Sequence, residues 1–115
     1  MIQRIDVGPR MSDAVVHNGL VCLAGQVATG SATDIAGQTR EVLAAIDALL
    51  DKAGTDRSRV LRAQIFLADK ADFPGMNAVW DQWVVPGHTP ARATVQAALA
   101  RPQWKVEIVI TAAVD

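Results

Sequence analysis

The sequence predicts a single α+β domain in which two helices cover one face of a mixed β-sheet. The chain has 115 residues, a usual size for one domain, and no repeat, low-complexity tract or linker divides it. Two segments carry apolar residues at the three- and four-residue steps of a helix, and five have the character of strands. Their order is strand, strand, helix, strand, helix, strand, strand, so we expect one domain over residues 1–115.

A β-hairpin is the first predicted element. Asn18-Gly19 lies between two β-prone runs, Asp13 to His17 and Leu20 to Ala24. This dipeptide readily adopts the positive φ angles of a type I′ turn, which joins adjacent antiparallel strands. The single cysteine, Cys22, lies in the second run and is expected to fill core volume as a small apolar side chain.

Two amphipathic helices follow from the spacing of apolar residues. The first is expected to begin at a capping residue, Thr33 or Asp34, and to end at Gly54. Its apolar stripe comprises Ile35, Thr39, Val42, Leu43, Ile46, Leu49, Leu50 and Ala53. The second is expected to run from Asp72 to Pro86-Gly87, with a stripe of Phe73, Met76, Asn77, Trp80, Trp83 and Val84. Both stripes indicate helices that pack on a sheet, with the two tryptophans in the packing.

Three later segments are predicted strands: Val60 to Leu67, Ala93 to Leu99 and Lys105 to Val114. In the first, alternation is expected to place Leu61, Ala63, Ile65 and Leu67 on one face and Arg62, Gln64 and Phe66 on the other. In the last, one side carries Val106, Ile108, Ile110 and Ala112, and the other carries Glu107, Val109, Thr111 and Ala113. That second side is too apolar to be simply solvated.

The second sheet face therefore predicts an interface. Two helices cannot cover both faces of a sheet, so we expect the uncovered face to pack against copies of the chain in a homo-oligomer. The alternative is an open face that tolerates scattered apolar residues, since exposed apolar atoms are common on protein surfaces.

Composition and charge exclude several classes of function. Eleven Lys and Arg against twelve Asp and Glu give a net charge of −1, so there is no electrostatic basis for binding nucleic acid or an anionic membrane. One cysteine precludes an internal disulfide, and the two histidines lie far apart, so no metal site is expected. The first residues lack the apolar run of a signal peptide and no segment is long enough to span a membrane, so we expect a cytoplasmic protein.

Arg92 and Glu107 form the constellation with the clearest chemistry. Arg92, Thr94 and Gln96 alternate onto one face of a predicted strand, and Glu107 lies on the next one. If these strands pair antiparallel, Glu107 lies beside Thr94. A guanidinium offers a bidentate fork to a carboxylate, and a nearby glutamate can hold and deprotonate water. The pair suits hydration of a small α-substituted acid; spacing alone rather favours the alternative, in which Arg92 and Glu107 neutralise each other at an interface.

Several blocks, in order along nearly the whole chain, carry a family resemblance. They are Leu23-Ala24-Gly25-Gln26, Gln38-Thr39 with Ile46, Ala63 to Asp69 with Asp72-Phe73, Met76-Asn77, Pro90 to Val95 and Val106-Glu107-Ile108. Together they resemble the RidA/YjgF family of reactive-intermediate deaminases, and the segment from Ile65 to Val85 is most similar to its YoaB-type branch. The resemblance implies a chorismate-mutase-like fold and a homotrimer with three clefts between subunits.

The resemblance also implies roles for individual residues. Arg92 matches the arginine that binds the substrate carboxylate, and Glu107 matches the acid that orients water. Thr94 occupies the position whose main chain helps to hold that water, while Gly25 and Asn77 are expected to contribute to substrate binding. The implied reaction is hydrolysis of 2-enamine or 2-imine acids, such as 2-aminoacrylate, to 2-keto acids and ammonia, with neither cofactor nor metal.

Two positions depart from the archetypal family pattern. Arg10 stands where archetypal members have a cleft-lining Tyr, and Ala24 where they have Ser, so a hydroxyl pair is missing. An inward-facing Arg10 would place a second guanidinium near the bound carboxylate and favour acidic substrates. Two other functions stay open: a non-catalytic trimer that captures 2-keto acids, and a ribonuclease or translation inhibitor, which the near-neutral charge disfavours.

Overall fold

A seven-stranded mixed sheet with two helices on one face makes up the fold of the computed structural model, which describes residues 1–115. The strands are β1 (Gln3–Val7), β2 (Ser12–His17), β3 (Leu20–Leu23), β4 (Gln26–Val27), β5 (Val60–Leu67), β6 (Ala91–Gln96) and β7 (Val106–Ala113). The helices are α1 (Ile35–Lys52) and α2 (Phe73–Trp83). The strand order is β1-β2-β3-β7-β5-β6, with the short β4 also paired to β7. This is the predicted α+β fold class.

The N-terminal hairpin forms as predicted, between β2 and β3. Asn18 and Gly19 have φ angles of 51° and 78°, the signature of the expected turn. The sequence did not predict β1, which pairs antiparallel with β2. The sequence pattern does not reveal β1 because only one of its five residues, Ile5, is even half-buried, so the strand has no apolar alternation.

The two helices bury most of the stripes expected of them, the exception being Phe73 at the start of α2, which is exposed. Val42, Ile46 and Leu50 of α1 are fully buried, as is Met76 of α2. Gln38, outside the predicted stripe, is also buried because its side chain bonds the chain before β7: its amide donates to the Gln103 carbonyl at 2.9 Å and accepts from the Lys105 N–H at 2.8 Å. Neither helix is both long and apolar enough to cross a membrane.

The predicted inward face of β5 is correct except at Leu61. The pairing of β5 with β7 shifts register between Val60 and Arg62, which is a β-bulge. A bulge inserts one residue and changes the side to which the chain points. Val60 consequently takes the buried position and Leu61 is 48% exposed, whereas Ala63, Ile65 and Leu67 point inward as expected.

The expected pairing of the last two strands is wrong. β5 lies between them, antiparallel to β7 and parallel to β6. The physical reason is the difference in apolar content: β7 buries every second residue and occupies the centre of the sheet, whereas β6 has no fully buried residue and forms an edge. The edge strand β6 therefore presents Arg92 and Thr94 at the margin of the sheet.

The sheet has a covered face and an open face. Val106, Ile108, Ile110 and Ala112 are fully buried beneath the helices. On the open face, Glu107, Val109, Thr111 and Ala113 remain half-buried, flanked by exposed Leu20 and Val95. Cys22 also lies on the open face, paired with Thr111, and is exposed. The expectation that Cys22 fills the core is thus wrong, because the hairpin register turns Val21 and Leu23 inward instead.

Candidate functional site

Arg92 is held on the covered face of the edge strand β6 by side chains of α2. Its Nη1 donates to Asn77 Oδ1 at 2.8 Å, and its guanidinium carbon lies 5.5 Å from the Trp80 ring centroid and 5.7 Å from that of Phe73. Aromatic rings at these distances attract a cation and hold its plane. Only this one of the five guanidinium N–H groups has a protein partner. The other N–H groups are therefore available to bind an anion.

Thr94 lies two residues further along β6, on the same face as Arg92. Its hydroxyl oxygen is buried and has no hydrogen-bond partner. Buried polar atoms nearly always have a partner, and an exception points to a missing water or ligand. The hydroxyl, as well as the main chain named by the family resemblance, is therefore a candidate ligand-binding group.

Glu107 and Gly25 form a second arrangement on the open face. Glu107 pairs across the sheet with Val27 and Phe66 and is half-buried. A Cβ atom on Gly25 would fall well inside contact distance of Glu107 Oε2. The Gly25 position is fixed on one side, since the Ala24 carbonyl accepts the Gln26 side-chain amide at 2.8 Å. The absence of a side chain at residue 25 thus gives the Glu107 carboxylate its place.

The structure does not bring Arg92 and Glu107 together within one protomer. Arg92 is in register with Ala63, on the covered face, and Glu107 with Phe66, on the open face. The two residues are separated by two strand spacings, about 10 Å, and by three residues along the strand, about another 10 Å. The prediction that they share a site through β6–β7 pairing is therefore wrong.

The other predicted site residues fall on both sides of this division. Asn77 joins Arg92, whereas Arg10 lies in the turn between β1 and β2, where the Gly8 N–H donates to the Met11 carbonyl at 2.8 Å. Arg10 is exposed and, because the Ala24 N–H donates to the Asp13 carbonyl, its turn lies at the end of the sheet that carries Gly25. Arg10 therefore lies at the same end of the sheet as Gly25, away from the Arg92–Asn77 contact.

Phe73 and Trp80 are the site residues that sequence reasoning missed. Both were predicted only as part of the packing stripe of α2, yet their rings flank the Arg92 guanidinium. The signal was present in their spacing, because Phe73, Asn77 and Trp80 lie at four- and three-residue steps and so share one helix face. A cavity of about 680 Å³ between the 28–33 and 101–105 loops contains none of the predicted site residues.

A Gly25→Ala substitution is expected to lower any activity that depends on Glu107 by about 10²-fold, because the new methyl group displaces the carboxylate. The fold should be retained, since the group that must move is the end of a flexible side chain. Steady-state kinetics beside thermal unfolding checks this. An unchanged rate at unchanged stability would show that the carboxylate position is irrelevant to the reaction.

Comparison with known proteins agrees with this arrangement of elements. The family model described as Endoribonuclease L-PSP matches residues 1–114. The Escherichia coli RutC family protein YoaB is 52% identical over 113 residues, which cover 98% of each chain. The Reactive Intermediate Deaminase A of Arabidopsis thaliana is 35% identical over 108 residues, covering 89% of this chain and 57% of the plant protein.

A solved structure supports the same relationship. The crystal structure of NMB1025 from Neisseria meningitidis, a member of the YjgF protein family, superposes with a TM-score of 0.96 at 50% identity, over 98% of this chain and 94% of that one. The match therefore extends over the whole sheet and both helices, including the strands that carry Arg92 and Glu107. The chain belongs to the L-PSP family, also called RidA/YjgF, and to its YoaB-type branch.

Proposed function

We propose that this protein hydrolyses 2-enamine and 2-imine acids derived from amino acids, such as 2-aminoacrylate, to 2-keto acids and ammonia. The observation that carries the proposal is the Arg92 guanidinium, fixed by Asn77 and two aromatic rings with most of its donors unpaired. A rigid planar fork of this kind suits a carboxylate. The name of the plant relative, Reactive Intermediate Deaminase A, supports the reaction class.

The chemistry needs only placement and proton transfer. Arg92 fixes the substrate carboxylate, which orients the adjacent electrophilic C=N carbon, and an enamine first takes a proton on its β-carbon to become the imine. Glu107 accepts a proton from water as the new C–O bond forms, and the imine nitrogen gains a proton. Protonated Glu107 then gives its proton to the resulting NH₂ group, the C–N bond breaks, the hydroxyl loses its proton to solvent to give the keto acid, and ammonia leaves. Positioning and general acid–base catalysis suffice for such a step, so no cofactor is invoked.

The proposed site is shared between protomers of a homotrimer. Within one chain Arg92 and Glu107 lie on opposite faces of the sheet, so a complete site requires the edge strand β6 of one protomer to meet the open face of the next. Half-buried Val109 and Ala113 on that face support such packing, because they retain apolar surface that no helix of the chain covers. Each of the three clefts would then contain Arg92 from one protomer and Glu107 from its neighbour.

The direct test measures ammonia release from imines generated by an amino-acid oxidase. We expect the purified protein to accelerate hydrolysis of the free imine without added cofactor. Failure to accelerate hydrolysis over a panel of amino-acid-derived imines would exclude the deaminase.

A non-catalytic trimer that binds 2-keto acids is the second candidate. The observation that favours it is the separation of Arg92 from Glu107 in the protomer, which leaves a carboxylate receptor without a base. Binding of 2-keto acids that depends on Arg92 but is accompanied by no turnover would support this function over the deaminase.

Arg10 provides a prediction about substrate preference. It is exposed and forms no salt bridge in the protomer, so it is free to contact a substrate in the cleft. One charge-assisted hydrogen bond contributes about 1.5 to 3 kcal/mol, or roughly tenfold or more in rate. We therefore expect Arg10→Tyr to lower the ratio of rates on aspartate- and glutamate-derived imines to leucine-derived imines about tenfold. An unchanged ratio would place Arg10 outside the cleft.

A further inference from the structure

A second cavity, of about 300 Å³, opens at the edge strand beside Thr94. It lies between β6 and the start of α2, and its lining residues are Leu67, Lys70, Phe73, Thr94, Val95 and Gln96. The volume is at the lower end of those typical for small-molecule sites. Three of the six residues are apolar, and none is acidic, so the cavity combines an apolar wall with groups that donate hydrogen bonds.

Three side chains of this cavity have hydrogen-bond donors that no group of the protein accepts. The buried Thr94 hydroxyl has no partner. Gln96 Oε1 accepts the Lys70 main-chain N–H at 2.7 Å, which orients the side chain and leaves its NH₂ group free to donate. Lys70 takes part in none of the three salt bridges of the protein. An ammonium, an amide and a hydroxyl together therefore favour a ligand that carries acceptor oxygens.

The cavity adjoins the Arg92 fork. Phe73 lines the cavity and also lies 5.7 Å from the Arg92 guanidinium carbon. Arg92, Thr94 and Gln96 are alternate residues of one strand and share a face, at steps of about 7 Å. The cavity therefore occupies the space next to Arg92 along the strand, into which the side chain of a molecule bound to the guanidinium would extend.

We infer that this cavity binds the substrate side chain and favours side chains that end in a carboxylate, as in imines derived from glutamate. The inference rests on the proposed function. The methylene groups pack on Leu67 and Phe73, and the distal carboxylate accepts hydrogen bonds from Lys70 and Gln96. The Thr94 hydroxyl gains its missing partner from the same molecule.

The test measures binding and turnover separately in Lys70→Met, with Lys52→Met as the control for loss of one positive charge. Lys52 lies at the end of α1, paired to Asp6 at 2.9 Å, outside the site. Calorimetry compares two stable acids of the product class, 2-oxoglutarate and 4-methyl-2-oxopentanoate. We expect Lys70→Met to lower the ratio of their affinities, acidic to neutral, about tenfold or more, and Lys52→Met to leave it unchanged.

Thr94 variants test the hydroxyl independently of the charge. Thr94→Val removes the hydroxyl donor at nearly constant shape and should weaken the binding of 2-oxoglutarate about tenfold. Thr94→Ser keeps the hydroxyl and should bind 2-oxoglutarate as wild type does. An affinity ratio that is the same in wild type and Lys70→Met would overturn the inference, as would Thr94→Val binding like wild type. If Lys70→Met lowers the affinity ratio but the protein hydrolyses no imine, the deaminase proposal fails and the subsite stands. If the protein hydrolyses imines and Lys70→Met leaves the ratio unchanged, the deaminase proposal stands and the subsite fails.

Discussion

Arg92→Ala is expected to lower kcat/KM for imine hydrolysis by about 10²- to 10⁴-fold. The estimate follows from two charge-assisted hydrogen bonds to the substrate carboxylate at about 1.5 to 3 kcal/mol each. The substitution also removes the donor to Asn77 Oδ1, and Asn77 is half-buried, so a modest loss of stability accompanies it. Kinetics on a single imine at several concentrations, with thermal unfolding of the same preparation, measures both effects.

Two variants make this test specific to the fork. Arg92→Lys keeps the charge but loses the planar pair of donors, so it should recover only a small part of the lost rate. Arg40→Ala removes an exposed arginine from α1 that has no salt-bridge partner and should match wild type. A fully active Arg92→Ala would exclude this residue as the carboxylate receptor and with it the proposed reaction.

The sequence predicted which segments form helices and strands better than it predicted which of these segments lie side by side. Helix α1 and strand β5 were predictable because their patterns are set by local burial, and Asn18-Gly19 specifies its own turn. The pairing of β6 with β5, not with β7, depends on which strand the rest of the protein buries most completely. Local periodicity does not show which strand is buried most completely. The β6–β7 pairing, and with it the shared face of Arg92 and Glu107, was therefore an assumption.

The candidate site shows the same division. Arg92 and Thr94 were predicted to share a strand face and Asn77 was predicted apart from them, and the structure brings Arg92 and Asn77 into direct contact. Gly25 was associated with the cleft only through family resemblance, whereas its closeness to Glu107 gives a steric reason for a glycine. Lys70 carried no signal at all, because a lone charged residue in a turn is ordinary until a cavity is found beside it.

Lysine substitutions at two adjacent residues of β7 should have opposite consequences for folding and assembly. Ile108 is completely buried beneath the helices, so Ile108→Lys places an unpaired charge in the core and should abolish folding. Val109 points to the open face and is half-buried in the protomer, so Val109→Lys should fold. In the proposed trimer, however, the new ammonium would be buried in an interface, and the acid beside it on the same strand face, Glu107, is the one assigned to the reaction.

Val109→Lys is therefore expected to yield folded monomers that have lost activity. The effective cost of burying an ion is several kcal/mol, which corresponds to about a 10³-fold weaker association at each interface. Light scattering for mass and circular dichroism for fold measure the two effects, and Ala48→Lys on the exposed side of α1 serves as the matched control, expected to remain trimeric.

A monomeric wild type would refute the trimer. An active, monomeric Val109→Lys would show that one protomer suffices, and Glu107 would then have no role beside Arg92, because the two residues occupy opposite faces of the same sheet.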